Sequence, residues 1–163
     1  MPARNTTVSA VESRLADLGI ALPDVVPPVA SYVPAVISGS QVYTSGQLPF
    51  IDGKLSASGK VGAADGDVDA ETARSLAATC AVNALAAIKS QIGDLDRITR
   101  IIKVVGFVAS DPSFTGQPGV INGASDLLGA VLGDAGAHAR SAVGVAVLPL
   151  DSPVEVEVIA EFV

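Results

Sequence analysis

Tryptophan is absent from this chain, and cysteine and histidine occur only once each, so several classes of site are excluded from the start. A single cysteine cannot form an intrachain disulfide, and with one histidine a metal site would need mostly carboxylate ligands, for which no pattern is present. The sequence therefore indicates neither a metal nor any other cofactor. Cys80 lies in an apolar stretch, so we expect a buried, unreactive thiol. With 4% aromatic residues, the core must be built from valine, alanine, leucine and isoleucine.

Positive charge is also scarce. Ten Lys and Arg against 17 Asp and Glu give a net charge of −7. Such a chain repels nucleic-acid phosphates and anionic membranes, so we expect neither as a partner. Residues 59–62 lack the spacing of a phosphate-binding loop, which argues against nucleotide binding. The apolar run 77–88 is too short to span a bilayer, and the first residues lack the apolar stretch of a signal peptide, so we expect a cytoplasmic protein.

The hydrophobic residues, 49% of the chain, are patterned as one α+β domain. A chain of 163 residues can bury about 70% of its unfolded surface. Helical spacing predicts an N-terminal helix over 8–18, capped by Thr6 or Thr7, and prolines predict an extended linker up to residue 29. The remaining predicted elements are helices at 68–92 and 120–132, strands at 34–37, 41–44, 98–109, 142–147 and 154–162, and a hairpin at 51–55. We expect one sheet with two long helices on one face, and a subunit interface that uses some of the apolar surface.

The last 24 residues carry the candidate chemistry. Arg140 opens an apolar segment, and Glu155 follows fifteen positions later in a strand that alternates carboxylates with valines. The planar fork of arginine matches a carboxylate, and a nearby glutamate can orient or activate a water. Arg140 and Glu155 therefore predict a site for a small carboxylate-bearing substrate. Period-2 spacing places Glu157 and Glu161 on the same strand face, and we interpret those two as a solvated stripe.

The link between the last two strands constrains this site. Residues 148–153 are too few for a parallel crossover, so we expect the closing strands to form an antiparallel pair. Glu155 would then lie near Val147, about 20 Å along the strand from Arg140. One flat hairpin does not bring them together. Either the chain bends sharply near Arg140, or a neighbouring subunit completes the pocket.

Several short motifs, in a fixed order, resemble one known family. They include Tyr43-Thr-Ser-Gly-Gln47, Cys80-Ala-Val-Asn83, Gly93-Asp-Leu-Asp96, Arg140-Ser-Ala-Val-Gly144 and Val154-Glu-Val-Glu157. Together they make residues 30–163 resemble the RidA family, also called YjgF or endoribonuclease L-PSP. Residues 1–29 then form an added helix and a proline-rich linker. This added helix and the G-x-H-x-R motif at 136–140 resemble a longer subgroup of that family.

The resemblance implies a fold and an activity. The fold is chorismate-mutase-like, with a mixed sheet, and it assembles as a homotrimer with three sites in clefts between subunits. The activity is that of a deaminase, a hydrolase that converts reactive 2-imino acids or their enamine tautomers, such as 2-aminoacrylate, to 2-keto acids and ammonia.

The resemblance also implies residue roles. Arg140 falls on the arginine that binds the substrate carboxylate, and Glu155 on the glutamate that helps to hold the attacking water. Tyr32 falls on a tyrosine that lines the pocket, and Asn122 on a pocket asparagine. Ala142 stands where the family often has cysteine; alanine can serve if that position contributes through its backbone, but not if it contributes a thiol.

Other interpretations stay open. Ser45 and Gly46 can line the pocket or form a turn at the end of a strand. We expect His138 to orient the loop before Arg140. The protein could also be a non-catalytic trimeric module that uses Arg140 to hold a small carboxylate. A ribonuclease or translation inhibitor is a third possibility, which the acidic charge and the single histidine disfavour.

Overall fold

A computed structural model describes residues 8–25 and 31–163. Within these ranges the chain forms three α-helices and seven β-strands, which confirms an α+β fold. The elements are α1 (Ala10–Asp17), β1 (Ala35–Ser38), β2 (Gln41–Thr44), β3 (Phe50–Ile51), β4 (Lys54–Leu55), α2 (Ala70–Ile92), β5 (Ile98–Ala109), α3 (Gln117–Leu132), β6 (Ala139–Val145) and β7 (Val154–Phe162). No helix in these ranges is both long enough and apolar enough to cross a membrane.

Five strands form one mixed sheet in the order β1-β2-β7-β5-β6. Neighbouring strands are antiparallel except β5 and β6, which are parallel. The predicted pairing of β6 with β7 is wrong, because β5 lies between them. Helix α3 carries the chain back to the start of β5, so β6 runs parallel to it. The short link from β6 to β7 then passes the end of β5. It spans two strand spacings, about 10 Å in total.

The sheet has one covered and one uncovered face. Its helix-facing side chains are buried, among them Val104, Val108, Val154, Val156 and Val158. No element within 8–25 or 31–163 covers the opposite face, here called the open face. Its apolar members include Val36, Tyr43, Val105, Phe107, Val143 and Ile159. Val36 is 50% exposed and Val143 44%, which leaves an apolar surface on a single chain.

Helix α2 matches its sequence signals at both ends. The Asp69 carboxylate accepts a hydrogen bond from the Thr72 amide, and Gly93 ends the helix at φ 84°. Cys80 on this helix is fully buried, as expected. Burial, and secondarily the charge of Glu155, raises the pKa of the Cys80 thiol well above its usual value, so the thiol stays protonated.

Two predicted boundaries shift near the candidate site. Helix α3 begins at Gln117, three residues before the predicted start, with Pro118 in its first turn, where a missing N–H costs nothing. Strand β6 begins at Ala139 and not at 142, because its pairing with β5 already starts there. Arg140 therefore lies inside a regular strand, which gives its side chain a defined direction.

The cap of α1 differs from the prediction. Thr6 and Thr7 lie outside the described residues, and the N-cap of α1 is Ser9. The hydroxyl of Ser9 accepts from the Glu12 amide at 3.3 Å and donates to Asp96 at 2.7 Å. The Asp96 carboxylate also accepts hydrogen bonds from the amides of Ala10 and Val11, the first two residues of the helix, at 2.8 and 2.9 Å. The sequence around α1 could not show this cap, because Asp96 is distant along the chain.

Side chains of α1 also attach it to the two long helices. Leu15 is buried, the Arg14 guanidinium donates to the Val131 carbonyl at the end of α3 at 2.8 Å, and Glu12 pairs with Lys89 of α2. Helix α1 is therefore packed on the domain.

Candidate functional site

Arg140 is held by the side of α3. It lies opposite Val104 in the β5–β6 register, so its side chain points to the helix-facing side of the sheet. Nη1 donates to Asn122 Oδ1 at 2.8 Å and to Ser125 Oγ at 3.1 Å, and Nη2 donates to the Pro118 carbonyl at 3.3 Å. Three acceptors from one helix thus fix the position of the guanidinium.

These contacts leave one part of the guanidinium available. Of its five N–H groups, the two on Nη1 and one on Nη2 are engaged by α3. The Nε hydrogen and the second Nη2 hydrogen have no partner among the described residues. Two nitrogens of one guanidinium can hold a carboxylate through two parallel hydrogen bonds. Arg140 can therefore bind a carboxylate without releasing α3.

A second layer of hydrogen bonds lies behind Arg140. Ser125 Oγ is 2.9 Å from His138 Nε2, and His138 Nδ1 is 2.6 Å from the Gly136 carbonyl. Because a carbonyl only accepts, Nδ1 carries a proton, and in the neutral imidazole Nε2 then accepts the Ser125 hydroxyl hydrogen. His138 thus holds the loop before β6, as expected. Ser125 was missed by the sequence analysis, although it follows Asn122 by three positions and so shares its helix face.

Glu155 lies on the other side of the sheet. Glu155 pairs with Phe107 of β5, whereas Arg140 pairs with Val104. Val104 and Phe107 are three positions apart, and residues an odd number of positions apart on a strand face opposite sides of the sheet. Glu155 is half-buried, and desolvation together with the charge of Glu157 raises its pKa. A carboxyl group with a raised pKa is suited to take up and return a proton.

Gly46 shapes the surroundings of Glu155. A Cβ on residue 46 would overlap Glu155 Oε1, so only glycine permits this approach. Next to it, Ser45 donates its hydroxyl to the Val33 carbonyl at 2.6 Å and its amide to the Pro34 carbonyl at 2.8 Å. Ser45 therefore continues the pairing of β2 with the segment before β1 and does not form the turn considered above. Gly46 follows it and lies against Glu155.

Most of the predicted site residues, together with Ser125, fall into two separate groups. The arginine cluster consists of Arg140, Asn122 and Ser125, and the glutamate cluster of Glu155, Ser45 and Gly46. Ala142 follows Arg140 on the same face of β6 and packs partly against the core. From the register, the Cα atoms of Arg140 and Glu155 are about 14 Å apart: three residues along the strand and two strand spacings across. A single chain does not merge the two clusters into one pocket.

Tyr32 is farther still from Arg140. It precedes β1, at the opposite edge of the sheet from β6, four strand spacings or about 19 Å away. Its side chain is 56% exposed. The β5–β6 register runs unbroken over Ala139–Val145, which excludes the sharp bend at Arg140 that would have been one way to close the pocket.

The glutamate stripe of β7 is less solvated than predicted. Glu155, Glu157 and Glu161 are all of intermediate exposure, and Glu161 accepts a hydrogen bond from Thr99 at 3.2 Å. Within residues 8–25 and 31–163, no group of three His, Cys, Asp or Glu side chains is placed to hold a metal ion.

Comparison with known proteins places this geometry in a family. Residues 12–162 match the family model described as "YjgF/chorismate mutase-like, putative endoribonuclease". The chain is 43% identical to Protein TCP17 of Trypanosoma cruzi over 93% of both chains. Among solved structures it resembles protein Atu1372 of Agrobacterium tumefaciens, of unknown function, with 48% identity, TM-score 0.86 and coverage of 94% of this chain and 93% of that one. It also resembles Escherichia coli TdcF with bound serine, with 27% identity, TM-score 0.58 and coverage of 84% and 92%.

The family match spans nearly the whole chain, including most of α1. The expected mixed sheet with two long helices on one face is present, and solved structures of the family share it. Both the family resemblance and the chorismate-mutase-like fold are therefore confirmed, and the chain belongs to the YjgF family, also called RidA.

Proposed function

We propose that this protein hydrolyses 2-imino acids, or their enamine tautomers of the 2-aminoacrylate type, to 2-keto acids and ammonia. The observation that carries the proposal is the anchored guanidinium of Arg140, with hydrogens on Nε and Nη2 left for a carboxylate. The serine bound to TdcF is also a small carboxylate-bearing molecule. Charge-assisted hydrogen bonds of this kind contribute about 1.5–3 kcal/mol each.

The proposed reaction needs little beyond positioning. With the carboxylate on Arg140, a water adds to C2 of the protonated imine, and Glu155 accepts the proton that this water loses. The resulting carbinolamine carries both oxygen and nitrogen on C2. Glu155 then gives this proton to the nitrogen, and the C–N bond breaks so that ammonia leaves. The carbinolamine hydroxyl passes its own proton to Glu155 as the keto C=O forms, and release of that proton restores the carboxylate. The raised pKa of Glu155 suits these proton transfers.

This mechanism requires a second subunit. Arg140 and Tyr32 lie at opposite edges of the sheet, and the open face leaves an apolar surface uncovered on a single chain. A contact between two different edges is heterologous, and such contacts form a closed ring when the rotation between subunits closes. We therefore propose a homotrimer in which the β1 side of one subunit, with its Tyr32 and glutamate cluster, completes the arginine cluster at β6 of the next.

A binding module without catalysis is the second candidate, because the arginine cluster serves it equally well. Only the glutamate cluster favours an enzyme. Endoribonuclease activity, which the family description names, is not proposed for this chain. The net charge of −7 opposes RNA binding, and the single histidine is engaged by Ser125 and Gly136.

The test generates 2-iminopropionate in situ with an amino-acid oxidase and follows its loss with and without the protein. We expect faster loss with the wild type and none above background with Arg140→Ala. Pyruvate binding by the wild type without faster imine loss would favour the binding module. RNA cleavage by the wild type that Glu155→Gln abolishes would overturn the proposal.

A further inference from the structure

The hydrogen bonds from His138 through Ser125 have no part in the proposed chemistry. They nevertheless end at Nη1 of Arg140, the residue proposed to bind the substrate carboxylate. We propose that Ser125 and His138 are positioning residues, which hold the Arg140 guanidinium in the orientation that turns Nε and Nη2 toward a carboxylate. The inference rests on the proposed function only in taking Arg140 as the carboxylate ligand. Neither Ser125 nor His138 touches the substrate.

The first step concerns the freedom of Arg140. An arginine side chain has about 2 kcal/mol of rotamer entropy, and β6 is an edge strand of the sheet that the described residues form. The acceptors on α3 remove that freedom. Asn122 and Ser125 each take one hydrogen of Nη1, so the guanidinium plane cannot rotate without breaking one of these bonds.

The second step concerns the Ser125 hydroxyl, which carries one hydrogen and can rotate. If that hydrogen pointed at Nη1, two donors would face each other and the anchor would be lost. His138 Nε2 accepts the hydrogen at 2.9 Å, so the oxygen lone pairs of Ser125 are left for Arg140. The state of His138 thus decides which way Ser125 points.

The third step concerns the tautomer of His138. Its Nδ1 is 2.6 Å from the Gly136 carbonyl, which requires a proton on Nδ1, so in the neutral ring Nε2 is the acceptor. Gly136 is itself fixed, since it is buried and a Cβ there would overlap the Leu128 carbonyl. His138 and Arg140 are two positions apart in one extended segment, so their side chains point to the same face and both reach α3.

The experiment compares variants that break the chain with variants that keep it. Ser125→Ala and His138→Phe remove the hydroxyl and the acceptor, whereas Ser125→Thr keeps a hydroxyl and His138→Gln places an amide near the position of Nε2. Ser90→Ala is the matched control, because the Ser90 hydroxyl bonds only within its own helix. Each variant is tested for pyruvate affinity, and for KM and kcat with 2-iminopropionate.

We expect Ser125→Ala and His138→Phe to weaken pyruvate binding and to raise KM, each roughly tenfold, with kcat within about twofold, because the carboxylate contact is the same in the ground and transition states. Ser125→Thr and His138→Gln should recover most of the affinity. The double variant should be no weaker than either single one, since both changes break the same chain. Unchanged affinity in Ser125→Ala, or additive losses in the double variant, would overturn the inference.

One spectroscopic signature is specific to this arrangement. The chain has one histidine, so ¹⁵N NMR reports a single imidazole. We expect the Nδ1–H tautomer in the wild type, and a shift of the Nε2 signal in Ser125→Ala. An Nε2–H tautomer would overturn the inference.

The variants also separate this inference from the proposed function. If Arg140→Ala kept full activity, the proposed function would fail. If Arg140→Ala were inactive while Ser125→Ala and His138→Phe behaved as wild type, only the positioning role would fail. Pyruvate binding tests the positioning role even if the protein does not turn over imines.

Discussion

At the scale of single residues, the arginine and glutamate clusters place their charged groups in opposite electrostatic environments. Three uncharged acceptors on α3 take hydrogen bonds from Arg140, so the geometry of its guanidinium is set. Glu155 is half-buried with Glu157 nearby, so its charge is disfavoured. A fixed cation and a carboxyl group with a raised pKa suit binding and proton transfer respectively.

Arg140→Ala should weaken pyruvate binding roughly 10- to 100-fold while leaving the protein folded, because charge-assisted hydrogen bonds are lost. Arg140→Lys should recover little, since an ammonium cannot contact α3 and a carboxylate with a planar fork. Calorimetric titration measures the affinity, and circular dichroism checks the fold. Wild-type affinity in either variant would remove Arg140 from the site.

Glu155→Gln should lower kcat with little change in pyruvate affinity, because the side chain keeps its size but loses the ability to accept a proton. Since the folded-state pKa of Glu155 is raised, the ionised group destabilises the fold as pH rises through that pKa. Replacing it with neutral Gln should therefore cost no stability at neutral pH. A thermal melt would show whether lost activity is instead lost structure.

The pH profile separates Glu155 from its neighbours. Activity needs ionised Glu155, so it should fall as pH falls through the raised pKa. Glu157→Gln removes a charge that raises this pKa, so the acid limb should move to lower pH while the plateau stays the same. Glu161→Gln is the control and should change neither. Equal losses of plateau activity in all three variants would mean that the whole acidic face matters.

At the scale of elements, α1 depends on a residue that is distant in the sequence. Asp96 accepts three hydrogen bonds at the start of the helix. Partial burial would raise the pKa of Asp96, but the amides of Val11 and Ala10 and the hydroxyl of Ser9 outweigh it and keep this pKa low. This carboxylate therefore stabilises the folded state when ionised.

Asp96→Ala should cost about 1 kcal/mol of unfolding free energy and lower Tm by about 3 °C. The folded-state pKa lies below the unfolded value, so the stabilisation is complete above about pH 4 and is lost as pH falls through the folded-state pKa. The wild type and Asp96→Ala should thus converge in acid. Asp65→Asn, in an exposed loop, is the control, and a constant Tm difference down to pH 2 would contradict the argument.

At the scale of the whole molecule, the open face and the separated clusters predict assembly. Light scattering should give about three times the 16.3 kDa of one chain at micromolar concentration. Val36→Asp, on the open face, should reduce the mass and the activity together, because it buries a charge in the proposed interface. Val8→Asp, which is also exposed but lies beside α1, should change neither. A wild-type mass near that of one chain would refute the trimer.

Much of the local structure could be predicted from the sequence. The bounds of α2 and β5, the turn at Asp52 and Gly53, and the family itself follow from signals between near neighbours: period, caps and dipeptides. Arg140 could be proposed as a carboxylate ligand for the same reason, since the motif around it is continuous. Such signals do not depend on where the rest of the chain lies.

Other features were decided only by the tertiary structure. The sequence could not show that β5 separates β6 from β7, because strand order depends on which faces are buried under α2 and α3 and not on the length of one link. For the same reason the cap of α1 by Asp96 and the anchoring of Arg140 by Ser125 escaped prediction. Each joins residues that are distant in the chain, and only packing brings their polar groups within hydrogen-bonding distance.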